Sequence, residues 1–138
     1  MQGNQKIFLD SNIVIYSYRN DEIEKQRIAK ELFGKHNVTI STQVLQETAN
    51  TLYRKFKTDI HIISLLLEEC IRNVTSLHIN TEKTIIKACN ITERYQYSFY
   101  DSLIIAAALE SGCQILYSED MQHNMTIEGK LTIINPFI

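Results

Sequence analysis

The sequence is short of the residues that punctuate a chain, with four glycines and one proline in 138 residues. Long irregular stretches are therefore not expected. The cysteines, Cys70, Cys89 and Cys113, are odd in number, widely spaced and without a Cys-x-x-Cys pair. They do not form a disulfide framework or a paired zinc motif, and they read as reduced core residues of a cytoplasmic protein. No apolar run approaches the roughly 20 residues of a membrane-spanning helix. The start, "MQGNQKIFLD", lacks the charged lead and long apolar stretch of a secretory leader. Neither sign of charge dominates: 14 basic residues face 16 acidic ones, for a net charge of −2. A domain-wide basic field for nucleic acid is thereby excluded, although a local patch suffices where metal ions carry the phosphate contact. Also missing are a P-loop, G-x-G-x-x-G and G-x-S-x-G, so glycine cradles for phosphate and serine-nucleophile hydrolysis are poorly supported.

What is present suits one compact domain spanning residues 1–138, because a chain of this length with 44% hydrophobic residues can bury a substantial core. "KIFL" is a short apolar run ending in Asp10-Ser11-Asn12 and predicts a buried strand. Asn20-Asp21-Glu22 predicts a helix start, with Ile28, Leu32 and Phe33 as the apolar side and Gly34 as the stop. "NVTIS" predicts a second strand, followed by helix "TQVLQETANTLYRKF" with Leu45, Ala49, Leu52 and Phe56 as its stripe. Asp59 caps "IHIISLLLEECIRN", whose apolar content predicts deep burial. "SLHIN" predicts a third strand, and a helix runs from Thr81 to about Arg94. "SFYDSLIIAAALESG" predicts an apolar helix closed by Gly112, and "CQILY" and "KLTIINPF" predict the last strands. Strands alternating with helices predict an α/β fold with a mainly parallel sheet.

In such a sheet the strands end at one edge, the following helices begin there, and ligands bind in that crevice. Asp10 follows the first strand, and Glu47 lies in the early turns of the helix after "NVTIS". Asp101 lies in the first turn of the apolar helix, and Glu119 and Asp120 follow "CQILY". Fold class and residue order thus send four or five carboxylates to one edge. Carboxylates gathered this way protonate, separate into solvent or share a cation. With no Cys/His clustering, the cation expected is Mg²⁺ or Mn²⁺ rather than zinc. Each acid alone also has an ordinary reading. Asp101 has the spacing of a capping box with Ser98, and Asp10 and Asp120 sit where turns favour aspartate. Glu47 lies opposite the Leu45/Ala49/Leu52/Phe56 stripe, where a solvated helix residue is the default.

"FLDSNIVIY", "STQVLQE", "SFYDSLIIAAALESGCQILYSEDMQ" and the closing "LTIINPF" resemble the PIN-domain family, in the style of VapC-type toxins of bacterial toxin–antitoxin pairs. The resemblance spans nearly the whole chain. It implies a three-layer α/β/α fold and a metal-dependent endoribonuclease that hydrolyses RNA phosphodiesters. Its catalytic acids here would be Asp10, Glu47, Asp101 and Asp120, with Asp10, Asp101 and Asp120 holding Mg²⁺ (or Mn²⁺). Asn12 and Ser118 match supporting positions, with Glu119 as an extra acid. The implied partners are an RNA substrate, which tRNA would satisfy, a cognate antitoxin laid across the acidic crevice, and a second copy in a homodimer.

Arg54, Lys55 and Lys57 form the densest basic group and are candidate phosphate contacts, although a helix C-terminus favours cations in any case. Arg94 and Lys130 are further candidates. His123, three residues after Asp120, is in reach of the metal site but reads better as an exposed loop residue. Tyr95, Tyr97, Phe99 and Tyr100 suit base stacking, core packing or a dimer surface. Two other functions compete. A non-catalytic PIN-like scaffold for RNA or protein would not require the intact acid set. A phosphoryl-accepting receiver or phosphatase would require acids that this chain lacks, since Asn12 stands where a phosphatase carries its second aspartate.

Overall fold

The computed structural model describes residues 5–138. The reading of no leader rests partly on residues 1–4, which lie outside the described residues. Along the chain run β1 (Ile7–Leu9), α1 (Ser11–Tyr18), α2 (Ile23–Phe33), β2 (Val38–Ser41), α3 (Thr42–Arg54) and α4 (Ile60–Asn73). They are followed by β3 (Ser76–His78), α5 (Glu82–Tyr95), α6 (Phe99–Glu110), β4 (Ile115–Tyr117), β5 (Thr126–Ile127) and β6 (Leu131–Ile134). The sheet order is β3-β2-β1-β4-β6-β5. Every pairing is parallel except that of β5 with β6. Strand order reverses at β1, whose neighbours β2 and β4 come from opposite ends of the sequence, so the crevice opens at the carboxyl ends of β1 and β4.

The strands are short, and β1 and β2 are buried on both faces, which is why "KIFL" reads as a continuous apolar run rather than an alternating one. Phe8, Leu9, Ile40, Leu116 and Ile133 are fully buried, each contributing about 1.5–3 kcal/mol by leaving water. The helices form two packed groups: α1 packs on α2 and α3 and α3 on α4, while α5 packs on α6. With the sheet between them this is the expected three-layer α/β/α architecture. In α6 every residue from Ser102 to Ala108 is buried, because Ala106, Ala107 and Ala108 let the helix approach closely. The antiparallel α5 is tied to it by Thr92 Oγ1 donating to Ser102 Oγ (2.8 Å) and Thr84 Oγ1 donating to Glu110 (2.6 Å). Gly112, at φ +73°, turns the chain from α6 into β4.

Five details differ from the sequence reading. Residues 11–18, assigned no element, form α1, because the Asp10 side chain caps the Ser11 N–H and Ile13 and Val14 find burial. Helix α2 starts at Ile23 rather than at Asn20, since Asp21 is engaged by Arg19 (2.7 Å) and Asn20 Oδ1 accepts from Gln26. The unforeseen β5 joins β6 through residues 128–130, a turn closed by the Lys130 N–H donating to Ile127 O (3.0 Å), in which Glu128 (φ 54°) and Gly129 (φ 66°) are both left-handed. Helix α4 is not deeply buried: only Ile63 and Cys70 are, while Ile60 is 61% and Leu65 48% exposed. It lies at the outside of its group, packed chiefly on α3. Cys89, read as a core residue, is exposed, whereas Cys70 and Cys113 are buried.

Candidate active site

Asp10 is delivered by β1 and stays within the core at 5% exposure. Its backbone N–H donates to Tyr117 O (3.0 Å), continuing the β1–β4 ladder, which brings Ser118 alongside. Asp10 Oδ1 accepts from the Ser11 N–H (2.7 Å) and Oδ2 from Ser118 Oγ (2.8 Å). Burial pushes the carboxyl up to about 7. The Ser118 and Ser11 hydrogen bonds oppose that shift, and the charges of Glu47 and Asp101 add to it.

Glu47 stands on α3 beside Asp10 and is half-buried. Its carboxyl is raised by burial, opposed by hydrogen bonds from Gln43 and Ser11, and raised again by Asp101. The buried side of α3 is Gln43, Val44, Thr48 and Leu52; of the predicted stripe Leu52 is buried, while Leu45, Ala49 and Phe56 are only partly so. That rotation draws Glu47 inward, so the solvated reading of it does not hold. Gln43 Nε2 donates both to Glu47 Oε2 (3.1 Å) and to the Tyr100 carbonyl (3.0 Å). One buried amide thus links α3 to the first turn of α6.

Asp101 occupies that first turn, where its N–H donates to the Ser98 hydroxyl (3.2 Å). Burial raises its carboxyl, Ser98 opposes this, and the charge of Asp120 raises it further. Asp120 is held from α1: Asn12 Nδ2 donates to Asp120 Oδ2 (3.2 Å), and Asn12 Oδ1 accepts from the Glu119 N–H (3.3 Å). The structure therefore brings Asp10, Glu47, Asp101 and Asp120 into one chain of mutually repelling carboxylates. Asn12 and Ser118 each bond one member. Glu119 is turned to another task, accepting from Tyr16 (2.7 Å) and pairing with Lys25 (2.6 Å). Burial would raise Glu119, but those two partners hold it below the usual carboxylate range.

Among the described residues, no ion pair reaches any of the four acids, and no three His, Cys, Asp or Glu side chains close into a ready-made metal cage. The donor set is nonetheless suited to a hard divalent cation. It is all carboxylate, and one member is buried without a countercharge, an arrangement that costs free energy until a cation joins it.

A groove of about 240 Å³ leads away from Asp120 and is bordered by Asn12, Arg19, Lys55, Phe56 and Glu119. Arg19, not foreseen from the sequence, lies over the Tyr16 and Phe56 rings (5.3 and 4.9 Å). Of the basic group only Lys55 borders this groove; Arg54 and Lys57 line another with Tyr53 and Thr58. Arg94 stacks on Tyr95 (5.3 Å), and Lys130 is exposed. His123 is exposed, and its Nδ1 accepts from the Asn135 N–H (3.0 Å). The aromatic group divides: Tyr95 and Tyr97 pack against the core, whereas Phe99 and Tyr100 face outward.

A mainly parallel α/β/α sheet with an acidic crevice where its strand order reverses defines the architectural class. The PIN-domain family model matches residues 7–126, and the chain belongs to that family. Three solved structures share the fold. VapC20 of Mycobacterium tuberculosis, a sarcin–ricin loop cleaving toxin, is 24% identical with TM-score 0.62, covering 80% of this chain and 87% of its own. A toxin–antitoxin complex from Klebsiella pneumoniae is 16% identical with TM-score 0.68, covering 96% and 98%. VapBC2 of Rickettsia felis, bound to a DNA fragment from its promoter, is 17% identical with TM-score 0.67, covering 95% and 100%. No curated protein matches the sequence.

Proposed function

We propose that the chain is an endoribonuclease of the toxin type, dependent on Mg²⁺ or Mn²⁺ and paired with an antitoxin. The observation that carries this reading is the convergence of Asp10, Glu47, Asp101 and Asp120, with the buried Asp10 carboxyl pushed up to about 7 and, among the described residues, no ion pair to relieve it. Family membership and the toxin neighbours support it.

Asp10, Asp101 and Asp120 would hold the cation, which when bound supplies charge stabilisation at the phosphoryl group and activation of the attacking water. Ser118 and the Ser11 N–H fix both Asp10 oxygens, so its carboxylate need not reorganise during reaction. Asn12 fixes Asp120. Glu47, steadied by Gln43 and with its carboxyl raised by burial, would orient the nucleophile and take up its proton. Lys55 and Arg19, on the groove leading from Asp120, would hold the RNA backbone.

The same groove, acidic on one wall and basic and aromatic on the other, suits an antitoxin segment with a basic side chain. The exposed apolar residues of α4 (Ile60, Ile62, Leu65 and Ile71) suit the surface of a homodimer. The test of the activity is cleavage of a mixed RNA pool by purified protein with Mn²⁺ or with EDTA. Cleavage in Mn²⁺ alone, lost in a folded Asp101→Asn variant, is expected. Undiminished cleavage by that variant, or none by the wild type, would refute the assignment.

A further inference from the structure

Glu47 borders a second groove, of about 310 Å³, whose chemistry differs from the first. Its lining is Gln43, Gln46, Glu47, Asn50 and Tyr100, with no lysine or arginine. Gln46 and Asn50 are exposed and four residues apart on α3, so they share one face. Tyr100 is 67% exposed, and its ring meets Phe99 edge-on with centroids 5.8 Å apart. Gln43, at 5% exposure, uses its Nε2 on Glu47 and the Tyr100 carbonyl, while its buried Oε1 has no hydrogen-bond partner among the described residues. The groove thus combines an aromatic face with three carboxamides, of which those of Gln46 and Asn50 are exposed.

That combination selects its ligand by exclusion. A phosphate would meet no cation and would meet the Glu47 carboxylate. A purely aliphatic group would bury the amides without partners, at a cost of about 1–3 kcal/mol for each group left unsatisfied. A flat, uncharged ring edged with donors and acceptors satisfies both features, and in single-stranded RNA that ring is a nucleobase. Phosphate contacts follow on the same helix. Arg54 lies one turn beyond Asn50, about 6 Å along the axis, and lines the neighbouring groove with Lys57.

We propose that the Gln43–Gln46–Asn50–Tyr100 groove is the pocket for a base beside the cleaved bond and sets the sequence preference of the enzyme. Tyr100 stacks on the base, Gln46 and Asn50 read its edge, and Arg54 and Lys57 hold the adjoining phosphates. This rests on the ribonuclease reading above and extends it to residues that read sequence.

The experiment measures fluorescence anisotropy of the intact protein with short single-stranded oligoribonucleotides of A, C, G or U, in EDTA to prevent cleavage. The wild type is expected to prefer one base. Tyr100→Ala should weaken that binding roughly tenfold, the loss of one base–aromatic stack, and Tyr100→Phe should restore it. Gln46→Ala/Asn50→Ala should level the four affinities, whereas Arg54→Ala/Lys57→Ala should lower all four alike and flatten the salt dependence. Unchanged affinity and preference in the Tyr100 and amide variants of a protein that binds and cuts RNA would overturn the pocket alone. A wild type that neither binds nor cuts RNA would overturn the ribonuclease reading and this proposal with it.

Discussion

Asp10 bonds Ser118 and the Ser11 N–H through its two oxygens and still sits near a pKa of 7, because burial outweighs both bonds. In the unfolded chain an aspartate ionises near 3.8. The metal-free native state therefore binds a proton that the unfolded state releases, between pH of about 4 and about 7. Its stability is full below that window and falls as pH rises through it. Glu47 and Asp101, also raised, add the same sign. Asp10→Asn should flatten this slope, leaving the variant more stable than the wild type in EDTA at about pH 8 and nearly equal to it only below about pH 4. Thermal melts across that range test the point, and parallel slopes would contradict it. A variant that gains stability while losing activity would show that Asp10 is kept at a cost to the fold.

At the scale of elements, the site is a matter of where helices begin. Ser98 caps α6 and sets Asp101 in its first turn. Ser98→Ala should lower stability by about 1 kcal/mol, as loss of such a cap usually does, and Ser98→Asp should retain it. Urea unfolding of the three proteins measures the effect, and an unchanged midpoint in the alanine variant would refute the cap. Asp10, Asp101 and Asp120 were legible in the sequence because each stands at the boundary of an apolar run, so strand ends and helix starts could be counted to one edge. Residue order sent Glu47 to the same edge, but its burial was not legible. The buried side of its helix includes Gln43 and Thr48, and polar residues do not advertise burial. Gln43 was missed as well, although its spacing of four from Glu47 was a local signal; its second partner, Tyr100, is 57 positions away. The exposure of α4 was hidden for the opposite reason. Its composition is that of a buried helix, and nothing in its own residues shows that it lies at the outside of its group.

Over the whole molecule, two surfaces carry the proposed partnerships. The exposed Ile62 and Leu65 of α4 predict self-association. Sedimentation velocity at micromolar concentration should show a dimer for the wild type and a folded monomer for Ile62→Lys/Leu65→Lys. A monomeric wild type would remove α4 as a dimer surface. Among the described residues no helix is long and apolar enough to cross a membrane. The acidic crevice is the other surface. Cleavage would depend on Asp10, Asp101 and Asp120 sharing a divalent cation there, and calorimetric titration with Mn²⁺ measures this without an RNA substrate. Saturable binding to the wild type is expected, with none to a folded Asp10→Asn/Asp101→Asn variant. Equal binding to both proteins, or no binding to the wild type, would contradict it.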